Sequence, residues 1–139
     1  MALAVGCGAA TLLLLGLPSG GPQRQNPITI QLAHAAELRK ALYFFASDHD
    51  GKYPKVLAEL PFEEISQEAR RFRDPCTKQD YDWVYYPGYS LQSPEQSIIL
   101  ASPRTLGDGK RIAVVAEGSV ELLNEDDFVK QLSEQLNNK

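Results

Sequence analysis

Residues 38–54 carry the sequence LRKALYFFASDHDGKYP, in which a helical pattern runs into a turn. Apolar side chains recur at steps of three or four from Pro27, which predicts one face of an amphipathic helix ending near Asp48. Asn26 is a good N-cap for this helix, and the Asp-Gly pair at residues 50–51 supplies the turn that ends it. The apolar positions are Ile28, Leu32, Ala35, Leu38, Leu42 and Phe45.

The second half of the chain alternates apolar runs with tight turns, which is typical of antiparallel strands. A polar segment follows, in which Asn124 caps an acidic first turn and apolar residues recur every four positions. The predicted strands are Tyr81–Tyr86, Ser97–Ala101, Arg111–Ala116 and Val120–Leu123, and the C-terminal helix carries Phe128, Leu132 and Leu136. We therefore predict an α+β fold: a long N-terminal amphipathic helix packed on a three- to four-stranded antiparallel meander, with a C-terminal helix. A short surface helix is also expected over Glu63–Phe72.

The first 23 residues differ from the rest because every formally charged side chain lies from Arg24 onward. Ala2–Leu17 is an uncharged, largely apolar run, and the helix-breaking segment Pro18–Pro22 follows it. As a helix this run would span about 24 Å, less than the roughly 30 Å hydrocarbon core of a bilayer. A secretory signal peptide therefore fits slightly better than an anchor, although no Lys or Arg precedes the run. We divide the chain into residues 1–23, an apolar signal or anchor segment with a Pro/Gly break, and residues 24–139, the folded domain.

Composition and motifs argue against an enzyme and against a nucleic-acid-binding protein. The 18 acidic residues outnumber the 14 basic ones, so the net charge of -4 provides no positive field for a phosphate backbone. The sequence contains no phosphate-binding glycine loop, zinc-ligand motif or G-x-S-x-G motif. Cys76 lacks the local signature of a catalytic thiol, and the histidines are His34 and His49. We expect no catalysis, no cofactor and a solvent-exposed His34.

Two clusters are candidates for ligand binding. Tyr81, Trp83 and Tyr85 alternate along a predicted strand, so they would share one face, and aromatic faces bind sugars and peptides. Packing inside the domain is the other interpretation of this strand. Three nearby loop carboxylates indicate a possible calcium site, with a solvated acidic loop as the alternative. These carboxylates belong to Asp74, Asp80 and Asp82.

Three segments of the chain resemble one protein family. Residues 38–54 resemble the end of the long helix and the G-x-Y-P turn of type II secretion pseudopilins and related type IV pilin-like (prepilin-like) proteins. Residues 83–88, WVYYPG, resemble the Y-x-P-G segment of short bacterial pilin-like proteins, and residues 111–121, RIAVVAEGSVE, resemble their closing hairpin. The likeness covers roughly residues 32 to 132.

The resemblance implies a pilin-like head that assembles with other proteins and performs no chemistry. Its expected partners are other envelope or pilin-like proteins, together with the inner membrane through residues 1–23 if they stay uncleaved. The expected location is the bacterial cell envelope, either membrane-anchored or periplasmic and secreted. Because residues 1–23 lack the usual prepilin start motif, we expect a pilin-like head on a signal peptide or short anchor. A small exported ligand-binding module, using the aromatic strand face and calcium, is the alternative.

Overall fold

The computed structural model describes residues 26–138, so the prediction for residues 1–23 lies outside the described residues. Within the described range the protein is an α+β fold with two α-helices and antiparallel sheets, which confirms the α+β class of the prediction. In chain order the elements are α1 Pro27–Asp48, β1 Phe72–Arg73, β2 Asp80–Tyr81, β3 Val84–Tyr85, β4 Ile98–Ala101, β5 Lys110–Val115, β6 Val120–Asn124 and α2 Glu125–Asn137.

Helix α1 begins and ends at the residues that its sequence signals indicate. The side chain of Asn26 accepts a hydrogen bond from the backbone N–H of Ile28, at 2.8 Å. At the other end the backbone N–H of Gly51 donates to the carbonyl oxygen of Ala46, at 2.7 Å, and Gly51 has a φ of +82°. Glycine adopts this conformation without strain, so it suits the end of the helix. The apolar residues that α1 buries are Ala35, Leu38, Leu42 and Ala46.

A four-stranded antiparallel meander, in the order β3-β4-β5-β6, forms the middle of the fold. Ile98 pairs with Val115 and Leu100 pairs with Val114, so Ile99 is an extra residue in β4. The resulting β-bulge lets the consecutive residues Ile99 and Leu100 both join the core cluster that contains α1.

The two helices cover opposite faces of this meander. Along β5, Ile112 and Val114 share a core cluster with the buried residues of α1, whereas Ala113 and Val115 cluster with Phe128 of α2. Neighbouring residues of a strand point to opposite faces, so the helices form two outer layers around the sheet. Cover on both faces explains why β4 and most of β5 are apolar without alternation.

The prediction of one continuous strand over Tyr81–Tyr86 is wrong. Strand β2 ends at Tyr81 and pairs with β1, whereas β3 begins at Val84 and pairs with β4. Between them Trp83 turns into the core, where its indole N–H donates to the carbonyl oxygen of Ala69, at 3.1 Å. Burying this large side chain separates the segment into two sheets.

The prediction of a helix over Glu63–Phe72 is also wrong. This segment forms two short 3-10 turns, Phe62–Glu64 and Glu68–Arg70, before it enters β1. Glu37 of α1 accepts hydrogen bonds from the backbone N–H and the hydroxyl of Ser66. This carboxylate therefore holds the start of the second turn against α1.

Helix α2 follows β6 directly. The side chain of Asn124 accepts a hydrogen bond from the backbone N–H of Asp127, at 2.8 Å, so the predicted N-cap is confirmed. Phe128 is buried against the sheet. Leu136, the last residue of the predicted apolar repeat, is instead 52% exposed and does not belong to the cluster that contains Phe128.

Candidate functional site

A cleft of about 1000 Å³ lies at the C-terminal end of α1, between residues 48–55 and residues 87–90. The backbone N–H of Tyr53 donates to the carbonyl oxygen of Tyr89, at 3.2 Å. The N–H of Leu91 donates to the carbonyl oxygen of Gly51, at 2.7 Å. These bonds join the turn that ends α1 to the segment that follows the Y-x-P-G motif.

Two tyrosine hydroxyls fix the backbone around the cleft. Tyr53 donates to the carbonyl oxygen of Ala116, at 3.0 Å, and Tyr85 donates to the carbonyl oxygen of Pro54. Burial raises the pKa of both hydroxyls, so each remains a protonated donor well above neutral pH. One buried and one partly buried hydrogen bond therefore hold the backbone beside the cleft.

The rim of the cleft carries exposed side chains of both charges. On one side, the rings of His49 and Phe45 stack with centroids 3.8 Å apart. Mixed charge around aromatic and proline side chains favours a neutral or zwitterionic ligand over a strongly charged one. The charged residues are Asp48, Asp50 and Glu59, opposed by Lys52 and Lys55.

The structure separates the three aromatic residues predicted to form a ligand face. Trp83 is only 5% exposed, and its ring meets that of Phe72 edge to face, with centroids 5.4 Å apart. Tyr81 lies in the two-stranded sheet and Tyr85 in the meander. Ligand binding by Tyr81, Trp83 and Tyr85 stays a prediction, but the single shared face on which it was based is not formed.

The three aspartates predicted to bind calcium each contact a different arginine. Asp74 is buried, and its carboxylate also accepts a hydrogen bond from the backbone N–H of Cys76, at 2.8 Å. Between residues 26 and 138, no group of three or more His, Cys, Asp and Glu side chains is arranged to hold a metal ion. Calcium binding stays a prediction, and a cation would compete with the arginines. The nitrogen to oxygen distances are 3.3 Å for Arg71–Asp82, 3.0 Å for Arg73–Asp80 and 3.3 Å for Arg104–Asp74.

His34, which was expected to be exposed, is partly buried on α1. Its Nδ1 atom is shielded from solvent and has no hydrogen-bond partner among the described residues. Burial lowers the pKa of His34, and the nearby carboxylates of Glu37 and Glu68 partly oppose that shift. The expectation of a solvated His34 is therefore wrong, and the cause is the 3-10 segment that packs on α1.

Large apolar side chains are exposed on the outer faces of both helices. On α1, Tyr43 is 45% and Phe44 is 54% exposed, and their rings meet edge to face with centroids 6.0 Å apart. On α2, Val129 and Leu136 are about half exposed. The exposure of Tyr43 and Phe44 could be predicted from the sequence. Residues 43–45 are three consecutive aromatic residues of one helix, and they cannot all face the same core.

No protein-family model, curated protein or solved structure matches this chain. Across residues 26–138, neither helix is both long enough and apolar enough to cross a lipid bilayer. Function is therefore inferred from the sequence motifs and from the surfaces described above.

The sequence also contained a pattern that predicts the ion pairs of the two-stranded sheet formed by β1 and β2. Residues 71–73, Arg-Phe-Arg, and residues 80–82, Asp-Tyr-Asp, place opposite charges around an aromatic residue, as two paired antiparallel strands would. Phe72 indeed pairs with Tyr81. Arg104 comes from a distant loop, and no local pattern points to its contact with Asp74.

Proposed function

We propose that this chain is a noncatalytic, pilin-like domain of the bacterial cell envelope. It serves as an accessory component of a secretion or pilus-type assembly and acts through contacts with other proteins. Residues 1–23 direct its export or hold it in the inner membrane.

The contacts of Tyr53 are the observation that carries this proposal. Its backbone N–H bonds to Tyr89, beside the Y-x-P-G segment, and its hydroxyl bonds to Ala116, in the closing hairpin. Tyr53 itself belongs to the G-x-Y-P turn. The three segments that resemble pilin-like proteins are far apart in the sequence, yet one buried residue bonds both to the closing hairpin, through its side chain, and to the residue that follows the Y-x-P-G segment, through its backbone. This convergence favours a common head over three chance matches.

The exposed aromatic pair on α1 supports the second part of the proposal, action through protein contacts. Tyr43 and Phe44 each leave about half of the side chain in water. Exposed apolar side chains that lie together mark interaction surfaces more often than isolated ones do.

Cell fractionation of the tagged full chain in a bacterial host tests the location. We expect the protein in the envelope fraction, and its intact mass will show whether residues 1–23 remain. An unprocessed protein found only in the cytoplasm would contradict the proposal.

Photocrosslinking tests the mode of action. A photoreactive phenylalanine at Tyr43 should capture envelope proteins, whereas the same probe at the exposed Glu63 serves as the control for chance contact. Equal capture at the two positions, or none at Tyr43, would argue against action through this surface.

A small exported ligand-binding module is a second candidate, because the volume of the cleft lies at the upper end of the range for small-molecule sites. Calorimetric titration with sugars and short peptides tests it, and heats that disappear in Lys55→Glu would place the ligand on the rim. If none of these compounds gave a measurable heat at millimolar concentration, the ligand-binding function would be excluded.

Calcium is tested in the same experiment series. We expect millimolar calcium to leave the Tm of the full chain unchanged, since each of the three aspartates already contacts an arginine. A rise in Tm that Asp80→Asn abolishes would instead establish the calcium site.

A further inference from the structure

Strand β6 forms one edge of the meander, and no strand within residues 26–138 pairs with its outer side. The hydrogen bonds of β5 show which backbone groups of β6 face outward. The carbonyl oxygen of Ile112 accepts a hydrogen bond from the N–H of Ser102, on the β4 side, at 2.9 Å. The N–H of Val115 donates to the carbonyl oxygen of Ser119, on the β6 side, at 3.1 Å. Even-numbered residues of β5 therefore direct their backbone groups toward β4, and odd-numbered residues direct theirs toward β6.

The outward backbone groups of β6 belong to Val120 and Leu122. These residues lie opposite Val114 and Ile112, whose own backbone groups are directed toward β4. Val120 and Leu122 therefore share no ladder hydrogen bond with β5. Each presents one N–H donor and one carbonyl acceptor to the outer side, where a neighbouring strand would find its partners.

The two edges of the meander differ in how well they are protected against strand addition. At the opposite edge, β3 has 2 residues and Pro87 follows shortly after it. Short edge strands and prolines are features that prevent another strand from adding to a sheet. Strand β6 has 5 residues and contains no proline or lysine. Its edge is therefore a suitable template for an added strand.

The side chain of Leu122 also lacks cover. Leu122 shares a face of the sheet with its cross-strand partner Ile112, which is fully buried in the cluster that contains α1, yet Leu122 is 37% exposed. Helix α2 crosses the other face toward β4, where Gln135 bonds to Ile98. An added strand with an apolar residue opposite Leu122 would shield both side chains from water.

The segment that contains β6 carries only negative charge. Residues 117–127 include acidic side chains and no basic one. Glu121, in the middle of β6, lies opposite Ala113 and takes part in none of the ion pairs among the described residues. The acidic residues of this segment are Glu117, Glu121, Glu125, Asp126 and Asp127.

Neighbouring elements bring fewer cations to this edge than the segment has acidic residues. Arg111 of β5 already pairs with Glu125, at 3.0 Å. Lys110 lies at the end of the ladder, opposite Asn124, and Arg39 of α1 lies beside the turn after β5. A second copy would bring two such acidic edges together, which like charges oppose. A strand with a cation opposite Glu121 would instead gain an ion pair.

We propose that the outer edge of β6 binds an extended segment of another protein as an added antiparallel strand. In this segment two apolar residues flank a lysine or an arginine. The cation lies opposite Glu121, and the apolar residues lie opposite Val120 and Leu122, with which they exchange backbone hydrogen bonds. The pairing is antiparallel, like every other pair of the meander. The inference rests on the proposed function, action through protein contacts, and names the chemistry of one partner.

The probe for this site is the capped synthetic peptide Thr-Val-Lys-Val-Thr. It is titrated to millimolar concentration into the ¹⁵N-labelled full chain in detergent, and NMR follows the backbone amides. We expect saturable shifts centred on residues 119–124 and slower hydrogen exchange at the amides of Val120 and Leu122. Slower exchange at these two amides is the signature of new backbone hydrogen bonds at the outer edge.

Two control peptides separate backbone pairing from contact between side chains. The first carries N-methyl groups on both valines, which removes the N–H donors that face β6 and keeps the side chains and the charge. It should cause no saturable shifts at the same concentrations. The second has glutamate in place of lysine, and it should bind about fivefold more weakly, because repulsion from Glu121 replaces one exposed ion pair.

Variants of the chain test the same two features. Leu122→Pro removes an outward N–H that makes no bond to β5, a position at which an edge strand accepts proline, and it should abolish binding. Leu122→Val keeps this N–H and should bind like the wild-type chain. Glu121→Lys should weaken binding of the lysine peptide about fivefold and strengthen binding of the glutamate peptide. Glu63→Lys, exposed and outside the meander, is the matched control and should change neither.

Several results would overturn the inference. No saturable shifts, shifts centred on the cleft, or equal binding of the N-methylated peptide would each do so, and the peptide controls remain decisive if Leu122→Pro does not fold. Exchange at Val120 and Leu122 that slows with protein concentration alone would show a second copy at the edge instead. These outcomes leave the proposed function in place, whereas an unprocessed chain found only in the cytoplasm would remove that function without affecting the peptide titration.

Discussion

At the scale of single residues, Gln135 joins α2 to the sheet in the manner of a backbone segment. Its side-chain oxygen accepts a hydrogen bond from the N–H of Ile98, at 2.6 Å, and its nitrogen donates to the carbonyl oxygen of the same residue, at 2.9 Å. The amide therefore supplies both halves of the pairing that a neighbouring strand would provide at this point of β4.

Replacing Gln135 with Ala should lower the free energy of unfolding by about 1–3 kcal/mol, because both backbone groups of Ile98 lose their partner. Chemical denaturation of the full chain in detergent measures this change. Gln92→Ala, at an exposed position, is the matched control and should change stability by less than about 0.5 kcal/mol. Equal losses in the two variants would contradict the role given to Gln135.

The partly buried His34 makes stability depend on pH. Its pKa in the folded state lies below the ordinary value of 6.5, so the unfolded chain binds the proton more readily. Stability is therefore lost as the pH falls below about 6.5 toward the folded-state pKa. His34→Gln should flatten the change in Tm between pH 7 and pH 5.

The control for this prediction is His49→Gln, because His49 lies exposed at the end of α1. This variant should show the same change in Tm between pH 7 and pH 5 as the wild-type chain. If His34→Gln showed the same pH dependence as the wild-type chain, a group other than His34 would be the cause.

At the scale of elements, Tyr53 locks the turn after α1 to the hairpin between β5 and β6. Tyr53→Phe removes the hydroxyl and leaves the carbonyl oxygen of Ala116 without this donor, so we expect a loss of about 1–3 kcal/mol in the free energy of unfolding. Tyr43→Phe, at an exposed position of α1, should change it by less than about 0.5 kcal/mol. Hydrogen exchange should also show faster opening near residues 51–53 in Tyr53→Phe alone.

Elements whose signals are local could be predicted from the sequence, and elements that depend on distant contacts could not. The end of α1 and the start of α2 are each marked by a residue within three positions of the helix terminus, namely Gly51 and Asn124. By contrast, the break at Trp83 depends on the carbonyl oxygen of Ala69, and the turn at Ser66 depends on Glu37. Neither partner lies in the window that a periodic pattern covers.

The candidate site follows the same rule. Each half of the cleft was visible as a turn motif, but nothing local indicates that Gly51 and Leu91 are bonded. The predicted aromatic face assumed one strand, and it failed where the chain changes sheets at Trp83. The sequence analysis singled out the three aspartates. Two of their three arginine partners could be predicted only once the pairing of β1 with β2 was known.

At the scale of the whole molecule, neighbouring residues of α2 test the layered architecture. Phe128→Ala removes the residue that anchors α2 in the second core cluster, and the expected loss is about 3 kcal/mol in the free energy of unfolding. Val129→Ala, one position later on the outer side, should cost less than about 0.5 kcal/mol. Thermal and chemical denaturation measure both. Similar losses would mean that α2 does not pack as an outer layer.

The double cover of the meander has a consequence for how such a chain can diverge over time. The buried apolar residues of β4 and β5 lie in core clusters with one helix or the other, so the demands of folding fall on the inner sides of α1 and α2. Their outer sides are free to accumulate substitutions with little penalty in stability. Selection can thus retune what the surface recognises, one helix at a time, while the interior stays unchanged.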